Sequence, residues 1–551
     1  MNATRLLEHF DRISDAADAV HRLRRFVLDL AVRGKIVDQD DADEPASVLL
    51  SRIAAAKRFG PKKSKVATSA NATQAGPFSI PSSWTFSCIE EVGEISPRNE
   101  ADAETTAAFI PMAMISQIFG VAPSHEVRRW GDIKKGYTHV APGDVAVAKI
   151  TPCFENGKST VFGELENGIG AATTELHVVR PFLINPGYLL IFLKSPFFID
   201  NGTPRMTGTA GQKRLPADYF ATAPLPLPPL AEQQRIVAKV DELMALCDRL
   251  EAAQVEREAR RDRLVAVSLA RVSQPAADAA SDARAAGFHL DHFARLTTRP
   301  EHVKHLRQTI LNLAVRGRLV PQDPCAAPLA EALQSAAAVT HCADLPRAWV
   351  RVPLGRLATV MDSGWSPQCD SVRRSSVNDW AVLKTTAVQP LFFDCKEHKV
   401  LPAKLKPRPQ CEAQFGDVLI TRAGPKNRVG VCCVVNQVEP RLMISDKLIR
   451  LRLHDDVWPD FIALSLNAGE AQAAIEAAKS GMAVMQMNIS QAKLRAVPIP
   501  LPPLAEQRRI VAKVDELMAL CDQLEASLAA AATDRARLLE SLLHEALATA
   551  T

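Results

Sequence analysis

Four stretches of this chain carry residue types that could do chemistry, and their spacing tests each of them. Gly157-Lys158-Ser159 has the ending of a loop whose backbone N–H groups and lysine cradle nucleotide phosphates, but the glycine required five residues earlier is Pro152. Asn185-Pro186-Gly187-Tyr188 is close to the Asn-Pro-Pro-Tyr with which amino-methyltransferases hold the amino group of a base. A second copy of the surrounding pattern carries Trp458-Pro459-Asp460-Phe461, without the amide, so a helix start is the better account. Asp144 and Lys149 could belong to a metal-dependent nuclease, yet Val147 stands where a further carboxylate is needed. Gly168-Ile169-Gly170 lacks the acidic residue on a following strand that would mark a dinucleotide site. No Ser/His/Asp arrangement is legible. The eleven cysteines form no CxxC pair and no His/Cys cluster at zinc spacing. Nothing in these residues supports catalysis or a metal centre in this chain.

Two other kinds of stretch suit DNA. Lys149, Asn156 and Lys158 lie on a Gly-containing turn just after a run of strand type, and Arg422, Lys426, Asn427 and Arg428 form its counterpart. Cations and amides on a strand-anchored loop are the groups that contact phosphates and base edges. Farther along, Thr209, Gln212, Lys213 and Arg214 answer Gln486, Asn488 and Ser490. Amides can read adenine, and Arg or Lys can read guanine. Solvated polar turns are the plain alternative for both kinds. Charge separates the two regions. Residues 84–224 hold 12 Lys and Arg against 15 Asp and Glu, a balance of −3, whereas residues 349–498 hold 20 against 14, a balance of +6.

The elements that must position these loops are repeated. Pro226–Asp248 and Pro500–Asp522 read alike except at Gln234 against Arg508, at a constant offset of 274. In each, prolines lead into a helix with an acid, Glu232 or Glu506, in the first turn, where the helix dipole favours an anion. Gln233, Arg235, Gln507 and Arg509 follow it. Apolar residues then recur at a 3-4 spacing: Ile236, Val240, Leu243, Cys247 and Leu250 in one copy, Ile510, Val514, Leu517, Cys521 and Leu524 in the other. This predicts two helices whose seams pack on each other as a coiled coil. The segment Leu30–Gly34 (LAVRG) returns at Leu313–Gly317, each ending a helix in glycine. His9–Ile13 is likewise answered by His292–Leu296. Between these frames lie two blocks of short β-type runs. Ile80-Pro81…Trp84 answers Leu345-Pro346…Trp349, and Gly143-Asp144-Val145 answers Gly416-Asp417-Val418.

At 551 residues, 47% apolar and 23% charged, the chain is globular and exceeds a single core. Its apolar runs are too short to cross a bilayer, its charged start is no signal peptide, and its scattered cysteines read as reduced thiols, so a cytoplasmic setting is expected. The net charge of +4 permits a nucleic-acid partner without arguing for one. The expected division is a helical segment at 1–61, a linker at 62–78, a first block at 79–228, a long helix at 229–272, a linker at 273–288, a second helical segment at 289–340, a second block at 341–502 and a last helix at 503–548.

The two Pro-Leu-Pro-Pro-Leu-Ala-Glu-Gln helices, the two LAVRG segments and the blocks between them resemble the specificity subunits of type I restriction-modification enzymes, over essentially the whole chain. The resemblance implies an α+β fold: two mixed α/β target-recognition domains joined by two long antiparallel coiled-coil helices, an internal duplication with pseudo-twofold symmetry. It implies that each block reads one half of a bipartite, asymmetric double-stranded DNA target while the helices set the spacing. Two methyltransferase (modification) subunits would dock on the frame and restriction/translocase subunits would join them. S-adenosylmethionine, ATP and magnesium would belong to those partners, with no cofactor and no catalysis in this chain. A modification-only adenine methyltransferase complex and a coiled-coil scaffold are the alternatives. The blocks match the family in framework only, so the resemblance names no base-reading residue.

Overall fold

The computed structural model describes residues 16, 18–58, 76–209, 211–273, 291–323, 345–437, 439–481 and 483–549. The His9–Ile13 segment and nearly all of both expected linkers lie outside them. The chain forms two compact units, Met1–Arg257 with Ala532–Thr551, and Glu258–Ala531. Both divisions fall inside long helices rather than at linkers.

Unit 1 opens with α1 (Ala19–Val32) and α2 (Ala46–Arg58). Gly34 follows α1 at φ +68°, a left-handed conformation that glycine adopts without steric cost. A Cβ there would also meet Pro81 Cγ at 2.5 Å, so the last residue of LAVRG is fixed by conformation and by space. The strand β1 (Thr85–Ser87) pairs with β10 (Leu225–Leu227). One antiparallel sheet has the order β2–β9–β6–β7, from Gly93–Ile95, Leu176–Pro181, Val145–Ala148 and Ser159–Val161. A second has the order β4–β3–β8–β5, from Glu126–Arg129, Thr106–Ile110, Gly170–Ala172 and Thr138–Val140, with β3 and β8 parallel. Helix α3 (Pro186–Lys194) is buried from Tyr188 to Lys194. It starts where Asn185 accepts a hydrogen bond from Gly187 N at 2.8 Å, an N-cap followed by proline. Helix α4 (Leu230–Ser273) then runs 44 residues, roughly 66 Å. Its Ile236, Val240 and Met244 share one core with Val27, Val32, Trp84 and Tyr188.

Unit 2 repeats much of this order. Helix α5 (Pro300–Ala314) is followed by Gly317 at φ +67°, where a Cβ would meet Pro346 Cγ at 2.4 Å. The strand β11 (Val350–Pro353) pairs with β23 (Pro498–Leu501). An antiparallel sheet has the order β12–β21–β17–β19, from Ala358–Ser363, Leu448–Leu453, Val418–Thr421 and Cys432–Val434. A smaller sheet joins β13 (Ala381–Leu383) to β16 (His398–Val400) and β20 (Leu442–Met443), and β14 (Val388–Gln389) pairs with β15 (Phe392–Phe393). A two-stranded ribbon pairs β18 (Ala423–Gly424) with β22 (Met487–Asn488). Helices α6 (Pro459–Leu466) and α7 (Gly469–Ala478) precede that second ribbon strand, and α8 (Leu504–Thr549) closes the chain.

The long helices depart from the simple seam. Ile236 and Val240, with Leu243 beside them, face unit 1's own core, and Cys247 is buried. Ile510, Val514 and Cys521, with Leu517 and Leu524 against them, face the core of unit 2. Leu250 is half-buried. A 3-4 apolar stripe announces a buried face but cannot name what covers it, and here α1 or α5 and a β-rich block do so. The helix ends belong to the other unit's membership. Leu539, Leu542, Leu543 and Ala546 of α8 pack with Ala19, Phe26 and Leu30 of α1 inside unit 1. Val265 and Leu269 of α4 pack with Leu296 and Leu306 inside unit 2.

Candidate nucleic-acid interface

In each unit the two loops singled out by residue type are brought side by side. In unit 1, Leu215 N donates to Lys149 O at 2.7 Å, and the Thr151 N–H and hydroxyl both donate to Lys213 O at 3.0 Å. In unit 2, Ile489 N donates to Arg422 O at 2.9 Å, and Lys426 N donates to Val484 O at 2.8 Å. The corresponding hydrogen bonds, Leu215 to Lys149 and Ile489 to Arg422, arise because each first loop leaves the end of a core strand, β6 or β17. Each second loop returns from the helical side toward the frame.

Around these bonds the backbone is braced by groups with no part in the expected chemistry. Asp144 is fully buried, accepts from Ala141 N and is forked by Arg180 at 2.8 and 2.9 Å. Asp417, also buried, accepts from Gln414 N at 2.8 Å and from Arg452 Nε at 2.9 Å. The Gly-Asp-Val motif is therefore a strand-opening turn held by a buried carboxylate, which disposes of the nuclease reading of Asp144. Lys194, at the end of α3, is buried and donates to Gln117 O at 3.0 Å and Gly157 O at 2.8 Å. It ties the 152–158 turn to the segment after β3, and burial pushes its ammonium down to about 8. No local signal announces it, because an apolar helix ending in lysine ordinarily places that lysine in water.

The expected contact residues divide by what they already hold. Asn156, Thr209, Gln212 and Lys213 are exposed in unit 1, and Lys149 and Lys158 are half-buried, Lys158 lying 3.3 Å from Met112 O. Arg214 is exposed but forks onto Glu175 at 2.9 and 2.8 Å, a bond that lowers the Glu175 carboxyl below its usual range. It is half of a neutral pair, not an open cation. In unit 2, Lys426, Asn427, Gln486 and Asn488 are exposed and Arg422 is half-buried. The Arg428 guanidinium instead donates to Gln389 Oε1 at 2.9 Å, Thr385 O at 2.8 Å and Val388 O at 2.7 Å. Ser490 caps the short helix Gln491–Arg495, accepting from Lys493 N at 3.3 Å. Arg428 thus braces its loop against residues 385–389, and Ser490 is engaged as a helix cap. Lys447, absent from the expected set, joins the site through Arg422 N to Lys447 O at 2.8 Å. Among the described residues Arg422, Lys426 and Lys447 form no ion pair.

The signature residues expected to face a partner are engaged within their units. Glu232 is buried and accepts from Trp84 Nε1 at 2.8 Å and Gln39 Nε2 at 2.6 Å; burial raises its carboxyl above the usual range. Glu506 accepts from Gln322 Nε2 at 2.6 Å. The buried Gln233 accepts from Asn185 N at 2.8 Å and donates to Pro228 O at 2.9 Å, stitching the starts of α3 and α4. Gln507 does the same with Trp458 N at 2.7 Å and Pro502 O at 2.8 Å. Arg235 pairs with Asp43, and Arg509 lies 3.4 Å from Pro321 O. Glu232, Gln233, Glu506 and Gln507 therefore hold each block on its helix and present no docking face. The nine cysteines among the described residues are free thiols, and no metal-holding cluster occurs among those residues. No helix among those residues is long and apolar enough to cross a membrane.

Cations and amides on paired, strand-anchored loops are groups of the kind that contact phosphates and base edges. The type I restriction modification DNA specificity domain family matches residues 81–259 and 425–533. The type I restriction enzyme EcoEI specificity subunit of Escherichia coli is 42% identical over 561 residues, covering 96% of this chain and 94% of its own. The EcoAI specificity subunit of the same organism is 33% identical over 563 residues, with the same coverage. A structure solved for the assembly and conformational transition of a type I restriction-modification system shares the fold at a TM-score of 0.52. It is 22% identical and covers 85% of this chain and 99% of that one. The chain belongs to the family of type I restriction-modification specificity subunits, and sequence-specific DNA recognition is its role.

Proposed function

We propose that the chain reads a split, asymmetric DNA target, one half with the loops of unit 1 and the other with the ribbon of unit 2. The observation that carries this reading is the recurrence of one loop-to-loop hydrogen bond, Leu215 N to Lys149 O and Ile489 N to Arg422 O, beneath quite different side chains. A shared scaffold with unlike contacts suits two unlike half-sites. Lys149, Asn156, Lys158, Thr209, Gln212 and Lys213 serve the first, and Arg422, Lys426, Asn427, Gln486 and Asn488 the second.

In this reading the pair of frames is an internal duplication with pseudo-twofold symmetry, and the long helices run antiparallel and fix the distance between half-sites. Two methyltransferase subunits dock on the frame and restriction/translocase subunits join them in the cytoplasm. S-adenosylmethionine, ATP and magnesium belong to those partners, and this chain supplies no catalytic group. Sequencing of DNA methylation in cells that carry the partner subunits, with and without this chain, tests it. The expected result is a methylated motif of two different blocks separated by a fixed spacer, present only with the chain. A continuous or palindromic motif overturns the proposal.

A further inference from the structure

The ribbon of unit 2 ends in something that its counterpart in unit 1 lacks. Val484 is 67% exposed and Met485 is 68% exposed, between Ala483 and Gln486 in the loop that leads into β22. The tip is ordered from both sides: Lys426 N donates to Val484 O at 2.8 Å, Gln486 N to Ala483 O at 2.9 Å, and Ser480 and Asn488 exchange backbone hydrogen bonds at 2.9 and 2.8 Å. The buried Lys479 ammonium fastens the opposite loop by donating to Lys426 O at 3.0 Å. The other large exposed apolar side chains of unit 2, such as Phe415 and Phe392, lie off this ribbon. In unit 1 the same position is filled by Thr207–Arg214, with no large apolar residue exposed at its tip.

Taking the DNA-recognition role as given, we infer that Val484 and Met485 are specificity-determining residues that enter the major groove and pack on the 5-methyl edge of thymine. Three features on the ribbon favour that occupant over a protein surface. A two-stranded ribbon has the width that the major groove admits, and thymine offers the one apolar group on that groove's floor. The open cations Arg422 and Lys426, with Lys447 behind them, complement the flanking phosphates. The amides Gln486 and Asn488 stand beside the apolar pair, so polar and apolar readers share one edge. The Asn488 side-chain carbonyl accepts from Ser480 Oγ at 3.3 Å, which leaves its amino group without a partner in that bond. Burying a methyl group in such a contact changes affinity about fourfold.

The test uses the assembled complex and its own target, with each thymine in the half-site read by unit 2 replaced in turn by deoxyuridine. At least one replacement should weaken binding about fourfold, and V484S/M485S should abolish that difference while still binding the uracil target. V484I/M485L should restore it. A half-site without an A·T pair, or uracil and thymine bound equally by the unaltered chain, overturns the inference. So does a variant that loses only DNA bending, which would make the pair a minor-groove wedge, or one that loses only subunit assembly, which would make it a protein contact. Loss of all discrimination between target and random DNA by the unaltered complex would instead count against the recognition role itself.

Discussion

Two cations of similar appearance in the sequence, Arg214 and Lys426, differ once their neighbours are known. Arg214 is matched by Glu175, whereas Lys426 has no ion-pair partner among the described residues. Lys426→Ala should weaken binding to all sequences alike and lower the slope of log affinity against log salt by about one unit. Removing the neutral pair with R214A/E175A should leave that slope unchanged; the measurement is a salt titration of the complex on random DNA. Lys194 permits a second test. Its ammonium falls to about 8 from an ordinary 10.5. Between those values the unfolded chain binds more protons than the folded one, so this group's penalty is full below pH 8 and stability rises as pH climbs toward 10.5. Across that window the unfolding free energy of the wild type relative to Lys194→Met should rise by at most about 3 kcal/mol. A constant difference in denaturant titrations would mean that the ammonium is solvated. Neither Glu175 as a neutraliser nor Lys194 as a buried clamp was legible, because both roles depend on neighbours 39 and 37 residues away.

At the scale of elements, the repeated Pro-Leu-Pro-Pro-Leu-Ala-Glu-Gln is explained by what its last two residues join. Gln233→Leu and Gln507→Leu would each strand a part-buried backbone N–H and a buried carbonyl, and each should cost about 2–4 kcal/mol, read as a lower midpoint of chemical unfolding. Glu242→Gln, exposed on α4 and paired with Lys239, should cost under about 0.5 kcal/mol by the same measurement. The helices themselves were plain in the sequence, since proline, an acid in the first turn and a sustained 3-4 stripe are local signals. So were the LAVRG glycines and the strand after Gly-Asp. The partner of the stripe was not, and the adjacency of residues 149–158 to 207–214 was not, because loops carry no periodicity that reports a distant neighbour. Val484 and Met485 were passed over for the same reason: two apolar residues in a loop match no template.

For the molecule as a whole, the proposed ruler makes a quantitative claim. Removing one heptad from both α4 and α8 shortens each by about 10 Å, so the spacer between half-sites should contract by about three base pairs. Methylation sequencing would reveal the new motif, and an unchanged spacer in an assembled complex would refute the ruler.

The distribution of α8 has a separate bearing on how the chain is made. Phe26 and Leu30, near the beginning, are covered by Leu539, Leu542 and Leu543, near the end. During translation those two side chains stay wet until some five hundred further residues have emerged, so unit 1 completes its core only after unit 2 has been made. A nascent chain halted between residues 30 and 539 carries that open apolar patch, a ready mark for chaperones and proteases.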